Sequence, residues 1–144
     1  MEKIQNVVII DGQGGSLGKA LVESMKSRFK SIHVLAIGTN SLAASAMLRS
    51  GADAIATGEN PVVVASRNAD VIIGPLGIIT ADALHGEITP LMALSVAQSK
   101  AHKILLPISK CNVSVVGRKN LTLSEMIDLA MEEIAQYLGE KELS

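Results

Sequence analysis

The sequence predicts a doubly wound α/β fold: a mostly parallel sheet of five or six strands between two layers of helices. Three observations predict it. Apolar, β-branched runs alternate with amphipathic helical patterns through short connections, as parallel strands with right-handed crossovers require. The first run, Val7-Val8-Ile9-Ile10, breaks at the glycine-rich stretch Asp11-Gly12-Gln13-Gly14-Gly15-Ser16-Leu17-Gly18, which opens into a helical pattern. The core must also be aliphatic, because 48% of the 144 residues are hydrophobic while Phe29 and Tyr137 are the only aromatics. Small aliphatic side chains suit a sheet covered on both faces. The length fits one domain over 1–144 that buries roughly two-thirds of its unfolded surface.

The elements follow in order. Ile4 to Ile10 reads as the first strand, apolar on both faces. Leu17, Leu21, Met25 and Phe29 recur every four residues opposite Lys19, Glu23, Lys26 and Lys30, an amphipathic helix. Ile32 to Ile37 is the second strand. Asn40 or Ser41 caps a helix rich in alanine that runs to Arg49, and Gly51 stops it. Ala52 to Ala56 is a short third strand. Asn60 then reads as a cap, with Pro61 at the first helical position, although Val62-Val63-Val64 are poor helix formers. Asp70 to Gly74 is the fourth strand, followed by the punctuated loop Gly74-Pro75-Leu76-Gly77. Residues 78–88 fit neither period. Thr89-Pro90 opens a helix through Ala101. Lys103 to Ile108 is the fifth strand. Val113 to Val116 reads as a sixth, a hairpin partner or edge extension, since a parallel crossover needs about a dozen residues. Leu123, Met126, Ile127, Ala130, Ile134 and Leu138 form a last amphipathic helix, capped by Thr122 or Ser124 and ended by Gly139.

Composition narrows the function. Net charge is −1, with no basic stripe and almost no aromatic surface to stack bases, so nucleic-acid binding is not expected. No apolar run reaches the roughly 18 residues that span a bilayer, and Met1-Glu2-Lys3-Ile4 runs straight into a strand with no signal peptide. With Cys111 alone, no intramolecular disulfide forms. These features fit the cytoplasm. A mean hydropathy of +0.36 in a short chain points to apolar surface hidden in a homo-oligomer, a dimer first.

The glycine turn has a physical reading. Gly12 makes the turn tight, Gly14 and Gly15 let the backbone approach a phosphate, and Gly18 brings the helix close to the strand. Exposed N–H groups at the helix start favour an anion. The spacing is one residue longer than the common dinucleotide fingerprint, and Leu17 stands where its third glycine would be. The other reading is a tight βα turn without a ligand. Gly38-Thr39-Asn40-Ser41, at the end of the second strand, lacks the acid that holds NAD ribose hydroxyls. That counts against NAD and leaves NADP or another phosphate-bearing nucleotide open. Asn40 and Ser41 equally serve as caps. Gly74, Pro75 and Gly77 are expected to flank the turn across the sheet.

Weaker signals surround it. His85, between Asp82 and Glu87, is an acid–base candidate if 78–88 covers the cleft, and a solvated loop otherwise. No spacing marks a metal site. Cys111, beside Lys110, is a candidate nucleophile or a small buried apolar residue. Asp11 can bind a hydroxyl or metal, or tie the turn.

Several pieces together resemble one family: Asp-Gly-Gln-Gly-Gly-Ser-Leu-Gly-Lys at 11–19, Gly-Thr-Asn at 38–40, Ala-Thr-Gly-Glu-Asn at 56–60, Ile-Ile-Gly-Pro-Leu-Gly-Ile at 72–78, Gly-Glu-Ile-Thr-Pro at 86–90 and Lys-Cys-Asn at 110–112. The chain resembles a family of short, uncharacterised bacterial proteins grouped as a domain of unknown function, over nearly its whole length. The resemblance implies a Rossmann-like fold and a bacterial cytoplasmic protein, and no activity. Three functions stay open: a module that binds a nucleotide or phosphorylated small molecule, a small NADP-dependent oxidoreductase built as a homodimer, and an interaction protein with no ligand.

Overall fold

A computed structural model describes residues 5–108 and 112–143, with side chains to 139. Five strands, β1 (Gln5–Asp11), β2 (Ile32–Gly38), β3 (Ala54–Thr57), β4 (Val71–Pro75) and β5 (His102–Leu106), alternate with helices α1 (Ser16–Arg28), α2 (Ser41–Arg49), α3 (Glu59–Ser66), α4 (Pro90–Gln98) and α5 (Leu123–Leu143). A 3₁₀ turn, Leu76–Ile79, follows β4. All neighbouring strands pair in parallel, in the order β3-β2-β1-β4-β5. This is the three-layer, doubly wound, Rossmann-like fold. The chain winds outward from β1 to β3, then returns past β1 to β4, so strand order reverses between β1 and β4. Ligands in such sheets sit beyond the strands' carboxyl ends at that point.

Strand alternation builds the two cores. Val7 and Ile9 face one layer, where Leu21 and Met25 of α1, Met47 of α2 and Ile127, Met131 and Ile134 of α5 pack. Val8 and Ile10 face the other, with Val62 of α3, Met92 and Val96 of α4, and Ile78 and Ile88. Each such side chain, fully buried, contributes roughly 1.5–3 kcal/mol. His102 of β5 stacks on Tyr137 of α5 at 4.6 Å, which seats the last helix.

Several boundaries differ from the sequence reading. The α3 helix starts at Glu59, behind Gly58 in the left-handed region (φ 97°), so Pro61 is its third residue and Asn60 is not the cap. Its valines are tolerated because Val62 is wholly buried, and packing overrides propensity. The α4 helix ends at Gln98. There Ser99 donates its hydroxyl to the Ser66 carbonyl at 2.6 Å and accepts the Ala101 N–H, turning the chain before Ala101. Val113–Val116 forms no strand. Val116 is 100% exposed, and no described strand lies beyond β5. The α5 helix runs through Gly139 to Leu143. Its packed positions upstream outweigh the roughly 1 kcal/mol that a mid-helix glycine costs. The caps at Asn40 and Thr89 form as read, and Thr122 with Glu125 makes a reciprocal pair at the start of α5. No helix among the described residues is long and apolar enough to cross a membrane.

Candidate functional site

Asp11 ends β1 level with Gly38 of β2. Its carboxylate is 6% exposed and turns back on its own loop, accepting the N–H of Gly12 at 2.8 Å and of Gly18 at 2.7 Å. Gly18 is the third residue of α1, so Asp11 satisfies one of the donors a helix start leaves unpaired. Gly15, the residue at the cap position, has no side chain to do so. Burial pushes the Asp11 carboxyl above its ordinary value, and the Glu87 charge adds to this against the two backbone bonds. Both oxygens are committed, so Asp11 ties the turn, one of the roles its position allows.

The glycines divide by what a side chain would meet. At Gly12 a Cβ would lie 2.5 Å from Thr39 Oγ1. At Gly18 it would lie 2.5 Å from Met47 Sδ and 2.9 Å from Asp11 Cβ. Gly15 is left-handed (φ 76°), and a Cβ there would lie 2.8 Å from the Ala43 backbone. Those three are glycine because the protein packs against them. Gly14 is different, with nothing within 4 Å of its would-be Cβ. Gly38 and Gly74 are likewise explained by backbone approach, to Ala44 and Ile10, and Gly77 by packing on Ala83.

The segment after the 3₁₀ turn, which fits no period in the sequence, folds over the end of β2. Asp82, Leu84 and His85 are left-handed, as is Gly86. The Asp82 N–H bonds the Ile88 carbonyl at 2.7 Å and the Ile88 N–H bonds the Ala83 carbonyl at 3.1 Å. Ala83 and Ile88 are buried anchors. The segment delivers Glu87, whose Oε1 accepts the Gln13 N–H at 3.1 Å, the Thr39 hydroxyl at 2.5 Å and the Asn40 amide at 2.7 Å. Asn40 also donates to the Gln13 carbonyl at 2.9 Å while its own oxygen caps α2. Burial pushes the Glu87 carboxyl up. The bonds from Thr39, Gln13 and Asn40, with the charge of His85, together outweigh it and hold the group below the ordinary glutamate value. The acid that residues 38–41 lack is therefore present, supplied from another loop. His85 itself is exposed, and no hydrogen bond joins it to Asp82 or Glu87. Cys111 lies outside the described residues.

On the other side of the turn is a cavity of about 210 Å³, lined by Asp11, Gly12, Gln13, Gly14, Ser16 and Leu17 of the turn and by Pro75, Leu84 and Ile108. It sits between β1 and β4, at the strand-order reversal. Among the described residues no acceptor meets the N–H of Gly14, Ser16 or Leu17. Whole small-molecule pockets are commonly about 300–1,000 Å³, so this space is smaller than one that would enclose a whole nucleotide. Leu84 and Ile108 carried no sequence signal, because they reach the turn only through the tertiary fold. A larger cavity of about 280 Å³ lies between β5, residues 115–121 and α5, but it holds none of the sequence-predicted site residues. No three His, Cys, Asp or Glu among the described residues are grouped to hold a metal ion.

Residues 6–139 match the model of one family, described as Domain of unknown function (DUF3842). The chain belongs to that family. No curated protein matches it. A solved structure, the dodecameric FMN-dependent UbiX-like decarboxylase from Escherichia coli O157:H7, is similar at 19% identity and a TM-score of 0.47, over 92% of this chain and 76% of that one.

Proposed function

We propose that this family member binds a nucleotide or another phosphate-bearing small molecule at its glycine turn, as a binding or sensor module. The phosphate oxygens accept the N–H groups of Gly14, Ser16 and Leu17, aided by the positive end of the α1 dipole. One observation carries the reading: Gly14 has open space where a side chain would stand, beside donors that no described residue accepts. Gly12, Gly15 and Gly18 are accounted for by packing, and Gly14 is not, which supports a ligand there.

Binding is favoured over a reaction because the acid–base candidate is spent. Glu87 is tied by three donors, and His85 is exposed, with no hydrogen bond to Asp82 or Glu87. Self-association belongs to the same proposal, a dimer first. Leu42 is 74% exposed and Val116 is 100% exposed, apolar surface that a second copy would cover.

The test is a titration calorimetry and thermal-shift panel of NAD, NADP, ATP, FMN, coenzyme A and sugar phosphates, with mass spectrometry of whatever copurifies. The expected result is saturable binding of at least one phosphate-bearing compound, lost in Gly14→Val. A panel without heat or shift would sink the reading.

A further inference from the structure

The segment between β5 and α5 belongs neither to the glycine turn nor to the core. Residues 112–120 are all exposed, yet they carry Val113, Val115 and Val116. A tight turn holds Val116 at its tip: the Arg118 N–H bonds the Val115 carbonyl at 3.3 Å, and Gly117 is left-handed (φ 86°). Beside this turn lies the cavity of about 280 Å³, lined by Ile104 and Leu106 of β5 and by Met126 and Leu129 of α5. The β5 strand is an edge of the sheet among the described residues, and an uncovered edge is a template for pairing that proteins ordinarily cover. We infer that a second copy of this chain covers this edge, with the Val116 turn of each protomer seated in the β5–α5 cavity of the other about a two-fold axis. The inference rests on the self-association reading and names the surface it uses.

Shape and charge both select a second copy as the occupant. A two-fold interface is self-complementary, so one patch must carry both halves of every contact. This patch sets an apolar projection beside an apolar hollow. Cavities of about 150 Å³ hold a benzene-sized group, so one of about 280 Å³ admits the valine tip. Opposite charges stand on two of its walls, Arg118 and Lys119 on the turn and Glu133 on α5, next to Glu132. Residues 123–139 contain no lysine or arginine. All four charged residues are exposed and none is in an ion pair among the described residues. A two-fold axis brings the basic turn of each copy to the acidic helix of the other, which sets the register of the pair. The apolar surface is also concentrated here: of the ten large hydrophobic residues exposed among the described residues, five lie within 113–129. Leu42 belongs to a different face, on α2 over β2 and β3 toward the opposite edge of the sheet.

The test is sedimentation velocity over a concentration series of the full chain. The wild type should dimerise, and Val116→Lys should weaken the dimer at least about tenfold, while Leu42→Lys leaves it unchanged. Reversing the turn with Arg118→Glu and Lys119→Glu should also weaken the dimer, and adding Glu132→Lys and Glu133→Lys should restore it, because the two reversals re-pair across the axis. Such a rescue cannot come from a chain that merely folds poorly, and the substituted side chains are all on the surface. Val116→Lys dimerising as tightly as the wild type would overturn this inference and leave self-association in place at another face. So would loss of the dimer in Leu42→Lys alone, or no recovery in the fourfold charge variant. A wild type that stays monomeric throughout would overturn the self-association reading as well.

Discussion

On the β2 flank of the glycine turn, the polar groups of Gln13, Thr39 and Asn40 meet a partner from the chain itself, the Glu87 carboxylate. On the cavity flank, a few ångströms along the same loop, Gly14, Ser16 and Leu17 present N–H groups that no described residue accepts. One flank is closed by an internal anion, and the other borders a cavity where no described residue meets its donors. The difference teaches how to read a glycine cluster. Gly12, Gly15 and Gly18 look alike in the sequence and are demanded by neighbours inside the protein. Gly14 is the one of the four with nothing packed where a side chain would stand.

The largest expected effect separates these two kinds of glycine by stability. Gly15→Val places a β-branched residue in the left-handed region and drives its Cβ into Ala43, at a cost of about 3 kcal/mol or more. Urea unfolding should show that loss, and a Gly15→Val protein as stable as the wild type would break the comparison. Gly14→Val should leave the unfolding free energy within about 0.5 kcal/mol of wild type, while weakening phosphate-bearing ligands by about tenfold or more, which is at least about 1.4 kcal/mol of binding. Calorimetry and urea melts on one preparation decide it. If Gly14→Val instead lost stability and kept binding, the roles assigned to the two flanks would be reversed.

Glu87→Ala should cost about 1–2 kcal/mol, because the Gln13, Thr39 and Asn40 donors lose their acceptor in a partly solvated corner. Hydrogen exchange should rise at Gln13 and across 82–88, and stay unchanged at Gly18, whose N–H is held by Asp11. Protection lost equally at Gly18 would mean that the flanks are not independent. The smallest effect is in pH. The folded pKa of Glu87 is depressed, so its contribution is present above the ordinary glutamate value of 4.5 and is lost as pH falls through the folded value. Asp11 has the opposite sign. Its folded pKa lies above 3.8, so the folded state loses stability as pH rises from there through the raised value. Glu87→Gln should therefore flatten the acid limb of the stability curve, and an unchanged limb would remove Glu87 from it.

Much of the fold was legible because it is written locally. The alternation of Val7-Val8-Ile9-Ile10 with the four-residue stripe of α1, and the caps at Asn40, Thr89 and Thr122, each depend on residues a few positions apart. The failures have tertiary causes. The α3 boundary moved because a left-handed Gly58 and the burial of Val62 outweigh the Asn-Pro signal. Val113–Val116 has strand composition, but composition cannot supply a neighbouring strand. The turn itself was visible, and so was Glu87 as a residue of interest, but its partners were not. The bond from Gln13 to Glu87 spans 74 residues, and nothing in either segment announces the other.

That span also sets an order of events during synthesis. The turn, β2 and both residues of the Thr39–Asn40 corner leave the ribosome well before position 87, and β4 must dock on β1 before the following segment can reach them. A nascent chain that has already paired β1 with β2 still has an unfinished corner there. The Glu87 corner then arrives late in folding, after the long-range contacts that are slowest to form. Protection of the Gln13 N–H, held by Glu87, therefore reports on completed molecules alone.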